Sequence, residues 1–330
     1  MEVLVKPLER RIEASAGSNL LDLLRDNGIP VSHSCMAGRC GTCRCKVLSG
    51  EVDEHAPSES RPSVTEMPGR YVYACQTSIV SDCVIEVPEP DEVVVHPARI
   101  LKGKVTAFEA LCHDVRLLRI KPAKAFEFSP GQYTQLQFAP DAARPYSPAG
   151  LSDDDELEYH IRIVPRGRVT TLLDETLSVG DAVKISGPLG TSYLRRKHDG
   201  PMLCIAGGTG LAPMLSIARG ALEGGMDNPI HFFFGVRSHR DVYGENRLAA
   251  LAARYPNFSY QIVLSGAEAT NGYRRGLVTE AVAETLSDLT GFRAYLAGPP
   301  VMVEAATVLA TQRGAAPEHV YADAFYPTGL

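Results

Sequence analysis

Three successive patterns of apolar and polar positions divide the chain. In the first ninety residues, Val3-Leu4-Val5 and Arg11-Ile12-Glu13 predict the arms of a hairpin, and residues 45–48 and 83–87 predict further strands. One helical stretch interrupts them, where Leu20, Leu21 and Leu24 recur at helical spacing between Ser18, the expected cap, and Gly28, the stop. Residues 117–120, 133–138, 159–163 and 182–185 then read as short alternating strands, with one helix near 170–177. From residue 201 the pattern changes again. Apolar strands at 202–206, 230–236, 262–264 and 294–297 alternate with helical stretches at 211–222, 247–254, 278–286 and 301–313.

These patterns predict a multidomain chain. An α+β, β-grasp-like domain spans 1–90, an antiparallel β-barrel spans 98–197, and an α/β domain with a parallel sheet spans 198–330. Residues 91–97 are the linker, because Pro88-Glu89-Pro90-Asp91-Glu92 and His96-Pro97 favour extended backbone without ladder hydrogen bonds.

Composition narrows the possibilities. The chain has 330 residues, 45% of them apolar, yet no apolar run approaches the ~20 residues of a membrane span. Its N-terminus lacks the basic start and long apolar stretch of a signal peptide, so a cytoplasmic location is expected. A net charge of −6 with no polybasic run argues against nucleic acid or an anionic membrane as partner, and a monomer is expected. The eight cysteines are clustered: Cys35, Cys40, Cys43 and Cys45 fall within eleven residues. Without an export signal, that pattern favours metal or redox chemistry over disulfides.

Cys35-x4-Cys40-x2-Cys43, with Cys75 farther along, has the spacing of a plant-type [2Fe–2S] cluster. Two bridged irons need four thiolates, and Gly38 and Gly41 let the loop approach the sulfides closely. A structural zinc site would pair two short knuckles, whereas here the fourth cysteine stands alone. Cys45 is expected to be a buried thiol outside the ligand set, and Cys83, Cys112 and Cys204 to be core residues.

Two further signatures follow. Arg144-Pro145-Tyr146-Ser147, expected after a strand, offers a guanidinium fork for a pyrophosphate, an aromatic ring for an isoalloxazine and a hydroxyl for its reactive edge. About twenty residues later Gly167-Arg168-Val169-Thr170 leads from a turn into a helix N-terminus, and Ser129-Pro130-Gly131-Gln132-Tyr133 opens the preceding strand. In the last domain, Gly207-Gly208-Thr209-Gly210 joins an apolar strand to a helix, and Ala297-Gly298-Pro299-Pro300 sits at a second such turn. Ligands of an open parallel sheet bind outside the strand C-termini, so both turns belong to one dinucleotide cleft. There the glycines would let the backbone approach the phosphates.

With these motifs in this order, the sequence resembles the ferredoxin–NADP⁺ reductase superfamily in its fused form. More narrowly it resembles the reductase components of aromatic-ring-hydroxylating dioxygenases of the naphthalene dioxygenase type. The likeness runs through Ser34-Cys35, Gly38-Arg39-Cys40-Gly41-Thr42-Cys43-Arg44-Cys45, residues 128–133, Gly187-Pro188-Leu189-Gly190-Thr191, residues 208–213 and Tyr321-Ala322-Asp323-Ala324-Phe325-Tyr326-Pro327. The resemblance implies FAD, NADH in preference to NADPH, and a Rieske-type ferredoxin or a terminal oxygenase as acceptor. It also implies that Arg144 and Thr170 hold the FAD pyrophosphate, Tyr146 packs on the ring, Ser147 sits at its reactive edge as the catalytic residue, and Phe325 reaches the flavin from the C-terminal tail. Pro145, His160, Ile161, Arg162, Gly167 and Val169 complete the expected FAD set. Residues 207–210, Arg237, Gly298 and Pro299 form the expected nicotinamide set, and Cys35, Cys40, Cys43 and Cys75 the metal set.

Two departures stand out: Ala297 where many relatives have Cys, and Pro148 where many have Met. The expected activity is electron transfer from NAD(P)H through FAD and the cluster, the flavin reconciling a two-electron donor with a one-electron centre. Two alternatives remain open: a reductase of a di-iron monooxygenase or deoxysugar-forming system, and a non-enzymatic iron–sulfur redox sensor. Arg39 and Arg44, beside the cluster cysteines, are expected to meet an acidic partner. After the strand ending at Val236, the chain offers Arg237 and Arg240 for a 2′-phosphate and Asp241 for a ribose.

Overall fold

The computed structural model describes residues 1–29, 31, 43–55, 70–87, 94, 96–165, 167–266 and 272–326. Its first sheet runs in the order Arg10–Glu13, Glu2–Lys6, Cys83–Glu86, Arg44–Ser49, Arg70–Tyr73. Glu2–Lys6 pairs antiparallel with Arg10–Glu13 and parallel with Cys83–Glu86, the mixed pairing of a β-grasp unit. The helix Leu20–Asp26 buries Leu20, Leu21 and Leu24 in one core with Val3, Val5 and Ile85.

The cap of that helix differs from expectation. Asn19, not Ser18, accepts from the backbone N–H groups of Leu21 and Asp22, at 3.0 and 3.2 Å. Ser18 sits one residue too early, with its own N–H on Ser15 and its carbonyl on Ile79. Either residue type caps well, and only the turn geometry decides between them.

The second sheet has six antiparallel strands in the order Ala142–Tyr146, Tyr133–Ala139, Ala182–Leu189, Arg99–Ala110, Val115–Pro122, Leu157–Arg162. Its two edges meet where Pro148 bridges Tyr159, and a hydrogen bond of 3.1 Å joins Thr134 Oγ1 to the Tyr159 hydroxyl inside. Val169 and Leu173 of the helix Arg168–Thr176 enter this core. Arg144, Pro145 and Tyr146 lie within an edge strand rather than after one. Pro145 is tolerated there because an edge strand need not use every N–H.

The third sheet is wholly parallel, in the order Arg274–Arg275, Phe258–Leu264, Ile230–Val236, Met202–Gly207, Arg293–Gly298, Val320–Ala324. Side chains alternate between its faces. Cys204, Phe232 and Phe234 join the core under the helices Leu211–Glu223 and Glu245–Arg254. Leu203, Ile205 and Phe233 join the opposite core, under Val278–Thr285 and Pro300–Gln312. The edge strand Val320–Ala324 had no counterpart in the apolar pattern of the sequence. Strand order reverses between Met202–Gly207 and Arg293–Gly298, which places a topological switch point between the two glycine turns.

Barrel and α/β unit are joined by directed contacts. Arg219 forks onto Asp154 at 2.9 and 3.1 Å, and Ser216 Oγ donates to the Gly150 carbonyl at 2.7 Å. The chain entering the barrel is fastened by Val94 N–H to the Tyr193 hydroxyl and by His96 Nε2 to Ser129 Oγ, at 3.2 and 3.0 Å. Cys45, Cys83 and Cys204 are buried, as expected, but Cys112 is only half-buried, its sulfur 3.5 Å from Asp114 Oδ1. Among the described residues no helix is long and apolar enough to cross a membrane.

Candidate functional site

Two cavities meet at the switch point. The larger, about 1050 Å³, lies between the barrel and the α/β unit. Its walls include Arg144, Pro145, Tyr146, Ser147, His160, Gly167, Val169, Thr170 and Phe325. The smaller, about 410 Å³ and mostly apolar, opens over the C-terminal ends of the parallel strands and includes Val236, Tyr243 and Ser265. Arg162, Gly207, Gly208, Thr209, Arg237 and Pro299 line both. Of the expected FAD and nicotinamide sets, Ile161, Gly210 and Gly298 line neither. The Ile161 side chain is buried in the barrel core.

The glycines divide by environment. A Cβ at Gly210 would lie 2.1 Å from the Ala297 carbonyl oxygen, and one at Gly298 would lie 2.7 Å from that of Gly207. These two let the turns pack backbone to backbone. Gly208 has a φ of +54°, and a Cβ there would meet nothing closer than Arg162 Nη1 at 3.8 Å. It is the glycine of the first turn that faces open space.

In the larger cavity, Ser147 Oγ donates to Asp323 Oδ2 at 3.3 Å. Burial pushes the Asp323 carboxyl up to about 6, the serine bond opposing it. Burial also raises the Tyr146 phenol to about 12, so it stays neutral at working pH. Thr170 Oγ1 is turned onto its own loop, accepting from Val164 N–H at 3.2 Å. The Phe325 N–H donates to the Gly298 carbonyl at 2.9 Å, fastening the C-terminal tail to the second turn. Arg162 donates to Asp114 through Nε at 2.8 Å, and Asp241 accepts from Ser238 N–H and Oγ at 2.8 and 2.6 Å. Asp323 escaped the sequence reading, although it lies in the C-terminal stretch that carries the family resemblance.

On the first domain, the Cys43 and Cys75 sulfurs stand 3.2 Å apart and are buried. Two thiolates on one tetrahedral ion with bonds of ~2.3 Å are separated by roughly 3.8 Å, so the pair needs only slight opening to share an iron. Gln76 Nε2 lies 3.8 Å from the Cys75 sulfur, a side-chain donor of the kind that tunes such centres. Cys35, Cys40 and Arg39 lie outside the described residues. Arg44 is half-buried beside the Tyr71 ring, 5.4 Å from its centroid, with Glu318 of the α/β unit among the charges that act on it.

Comparison with known proteins fits this arrangement. Residues 3–80 match the 2Fe-2S iron-sulfur cluster binding domain, residues 102–193 the oxidoreductase FAD-binding domain, and residues 204–307 the oxidoreductase NAD-binding domain. The chain is 56% identical, over the full length of both, to the ferredoxin–NAD(P)⁺ reductase component of the naphthalene 1,2-dioxygenase/salicylate 5-hydroxylase systems of a Ralstonia species. It is 53% identical, again over both full lengths, to the corresponding component of the Pseudomonas putida naphthalene 1,2-dioxygenase system. Among solved structures, the Amycolatopsis cytochrome P450 reductase matches with a TM-score of 0.72 and 34% identity, covering 99% of each chain. With three domain matches and two full-length relatives above half identity, the chain belongs to the family of ferredoxin–NAD(P)⁺ reductase components of the naphthalene dioxygenase type, which are oxidoreductases.

Proposed function

We propose that this chain transfers electrons from NAD(P)H, through FAD and a [2Fe–2S] cluster, to a Rieske-type ferredoxin or the terminal oxygenase of an aromatic-ring dioxygenase system. The observation that carries the reading is the shared wall of the two cavities, built from Gly207, Gly208, Thr209, Arg162, Arg237 and Pro299. Two ligands seated in the two cavities would adjoin across that wall.

The donor sets suit the groups. Arg144 and Arg168, both on the larger cavity, supply cations for the FAD pyrophosphate, and Tyr146 supplies a flat neutral ring. Gly208 and Thr209 take the nicotinamide dinucleotide at the mouth of the smaller cavity, before the helix Leu211–Glu223. Cys43 and Cys75, with Cys35 and Cys40, hold the cluster. When bound, the flavin supplies the exchange between a two-electron donor and a one-electron acceptor.

The protein's own work is orientation. Asp323 accepts from Ser147 and so fixes which way the hydroxyl points at the cavity floor. Phe325 is held over the second turn by its backbone bond to Gly298. Thr170 keeps the loop before the helix Arg168–Thr176 in shape through Val164. The same reading takes the working unit as a cytoplasmic monomer, since one chain supplies every proposed ligand, and NADH as the preferred donor.

The test is reduction of purified candidate acceptors by the holoenzyme with NADH. Rapid turnover of a Rieske ferredoxin, with none of a di-iron hydroxylase, supports the reading. The opposite pattern favours a monooxygenase system, and failure to reduce even ferricyanide favours a sensor.

A further inference from the structure

A buried hydrogen-bonded chain crosses from the barrel to the Gly208 turn. It starts at Glu158, whose carboxylate accepts both Nη groups of Arg247, from the α/β unit, with Nη2 at 3.0 Å. Arg119 adds Nε and Nη2, each at 3.2 Å. His160 Nε2 lies 3.4 Å from Glu158 Oε1, and on its other side His160 Nδ1 lies 3.2 Å from the Tyr243 hydroxyl. That hydroxyl donates to the Gly208 carbonyl at 3.3 Å. The rings of His160 and Tyr243 meet edge to face, 5.2 Å apart.

The single Tyr243 proton lies between two acceptors at nearly equal distances, His160 Nδ1 and the Gly208 carbonyl, and is shared by both. His160 donates from Nε2 to Glu158 Oε1, so its Nδ1 is an acceptor facing the Tyr243 hydroxyl. Glu158 sets this tautomer. Three arginine N–H groups meet Glu158 Oε2 and one meets Oε1, which leaves Oε1 a lone pair for His160 Nε2–H. The carbonyl of Gly208 can accept a second bond, from Leu211 N–H, without conflict.

Gly208 has the left-handed φ of the turn and lines both cavities. In a planar trans peptide the N–H opposes the C=O. Anchoring the Gly208 carbonyl on Tyr243 therefore aims the Thr209 N–H away from Tyr243. We propose that His160 and Tyr243 are positioning residues for the nicotinamide dinucleotide, holding the Gly208–Thr209 peptide in its binding orientation from across the barrel interface. The inference rests on the proposed seating of the dinucleotide at this turn. It gives His160 a task other than holding FAD.

Tyr243→Phe in the full-length holoenzyme removes the hydroxyl and keeps the ring. NADH-dependent ferricyanide reduction should show KM for NADH raised about three- to tenfold, the range one net hydrogen bond supports, with kcat and FAD content unchanged. His160→Gln should raise KM similarly, and the double variant should be no worse than the worse single, because both break one chain. Additive effects, or a fall in thermal stability with KM unmoved, would overturn the proposal. Gly208→Val tells that failure from a wrong binding site. If it raises KM while Tyr243→Phe does not, the site stands and the positioning role falls. If neither variant moves KM, the dinucleotide binds elsewhere and both fall.

Discussion

Ser147 and Asp323 are 176 residues apart in sequence, yet the serine hydroxyl donates to the aspartate at 3.3 Å on the floor of the larger cavity. The contact exists because Val320–Ala324 pairs parallel to Arg293–Gly298, which brings the tail beside the end of the barrel's edge strand. A carboxyl there is half-buried at the cavity wall, and its neutral form is favoured.

That burial has a signature in stability. The Asp323 value of about 6 lies above its ordinary 3.8, so between those values the folded protein keeps a proton that the unfolded chain has released. Stability from this group is complete below about pH 4 and is lost as pH rises towards and through 6. Asp323→Asn, which cannot titrate, should lack that fall. Thermal melts of the apoprotein and its variant across pH 4–7 check this, and parallel curves would show that Asp323 is solvated.

Cys75→Ser should lose the cluster, whereas Cys45→Ser should keep it. The Cys75 sulfur faces that of Cys43, while the Cys45 sulfur is buried in the core, 3.9 Å from the Cys43 carbonyl. Burial also raises the Cys45 thiol to about 12, far from the thiolate a metal needs. Iron and sulfide analysis of both variants decides, and a Cys45 variant without sulfide would overturn the ligand assignment.

The two kinds of glycine should fail differently. Gly210→Ala puts a methyl group 2.1 Å from the Ala297 oxygen and should cost about 3 kcal/mol of stability or prevent folding. Gly208→Ala finds space but keeps a left-handed φ, a strain of about 1–2 kcal/mol, and should fold with weakened NADH binding. Denaturant unfolding together with NADH KM separates the two outcomes.

The sequence showed the glycine-rich turn but not this division, because spacing records that a Cβ is missing and not what would have met it. The alternation from residue 201 onward was legible in full-length apolar runs. The strand Val320–Ala324 was not, since its Asp323 interrupts the apolar run to reach the cavity. Arg144-Pro145-Tyr146-Ser147 could be read as a unit because its residues are adjacent. The chain from Glu158 to Gly208 could not, because it crosses two domains and depends on which side chains face each other at their junction.

Arg237 is exposed at the end of Ile230–Val236 and lines both cavities, while Asp241 is committed to Ser238. Arg237→Ala should lower kcat/KM for NADPH about tenfold, by loss of a charge-assisted bond to the 2′-phosphate, and change the NADH value less than threefold. Equal losses with both donors would place Arg237 on a phosphate that NADH and NADPH share.

Electron flow through both centres is tested most directly by anaerobic titration of the full-length holoenzyme with NADH, following flavin absorbance and the EPR signal of the reduced cluster together. Both centres should be reduced in the native protein. In Cys75→Ser the flavin should bleach with no cluster signal. A flavin that stays oxidised under excess NADH, or a cluster that stays oxidised beside a bleached flavin, would contradict transfer from NADH to the cluster within this chain.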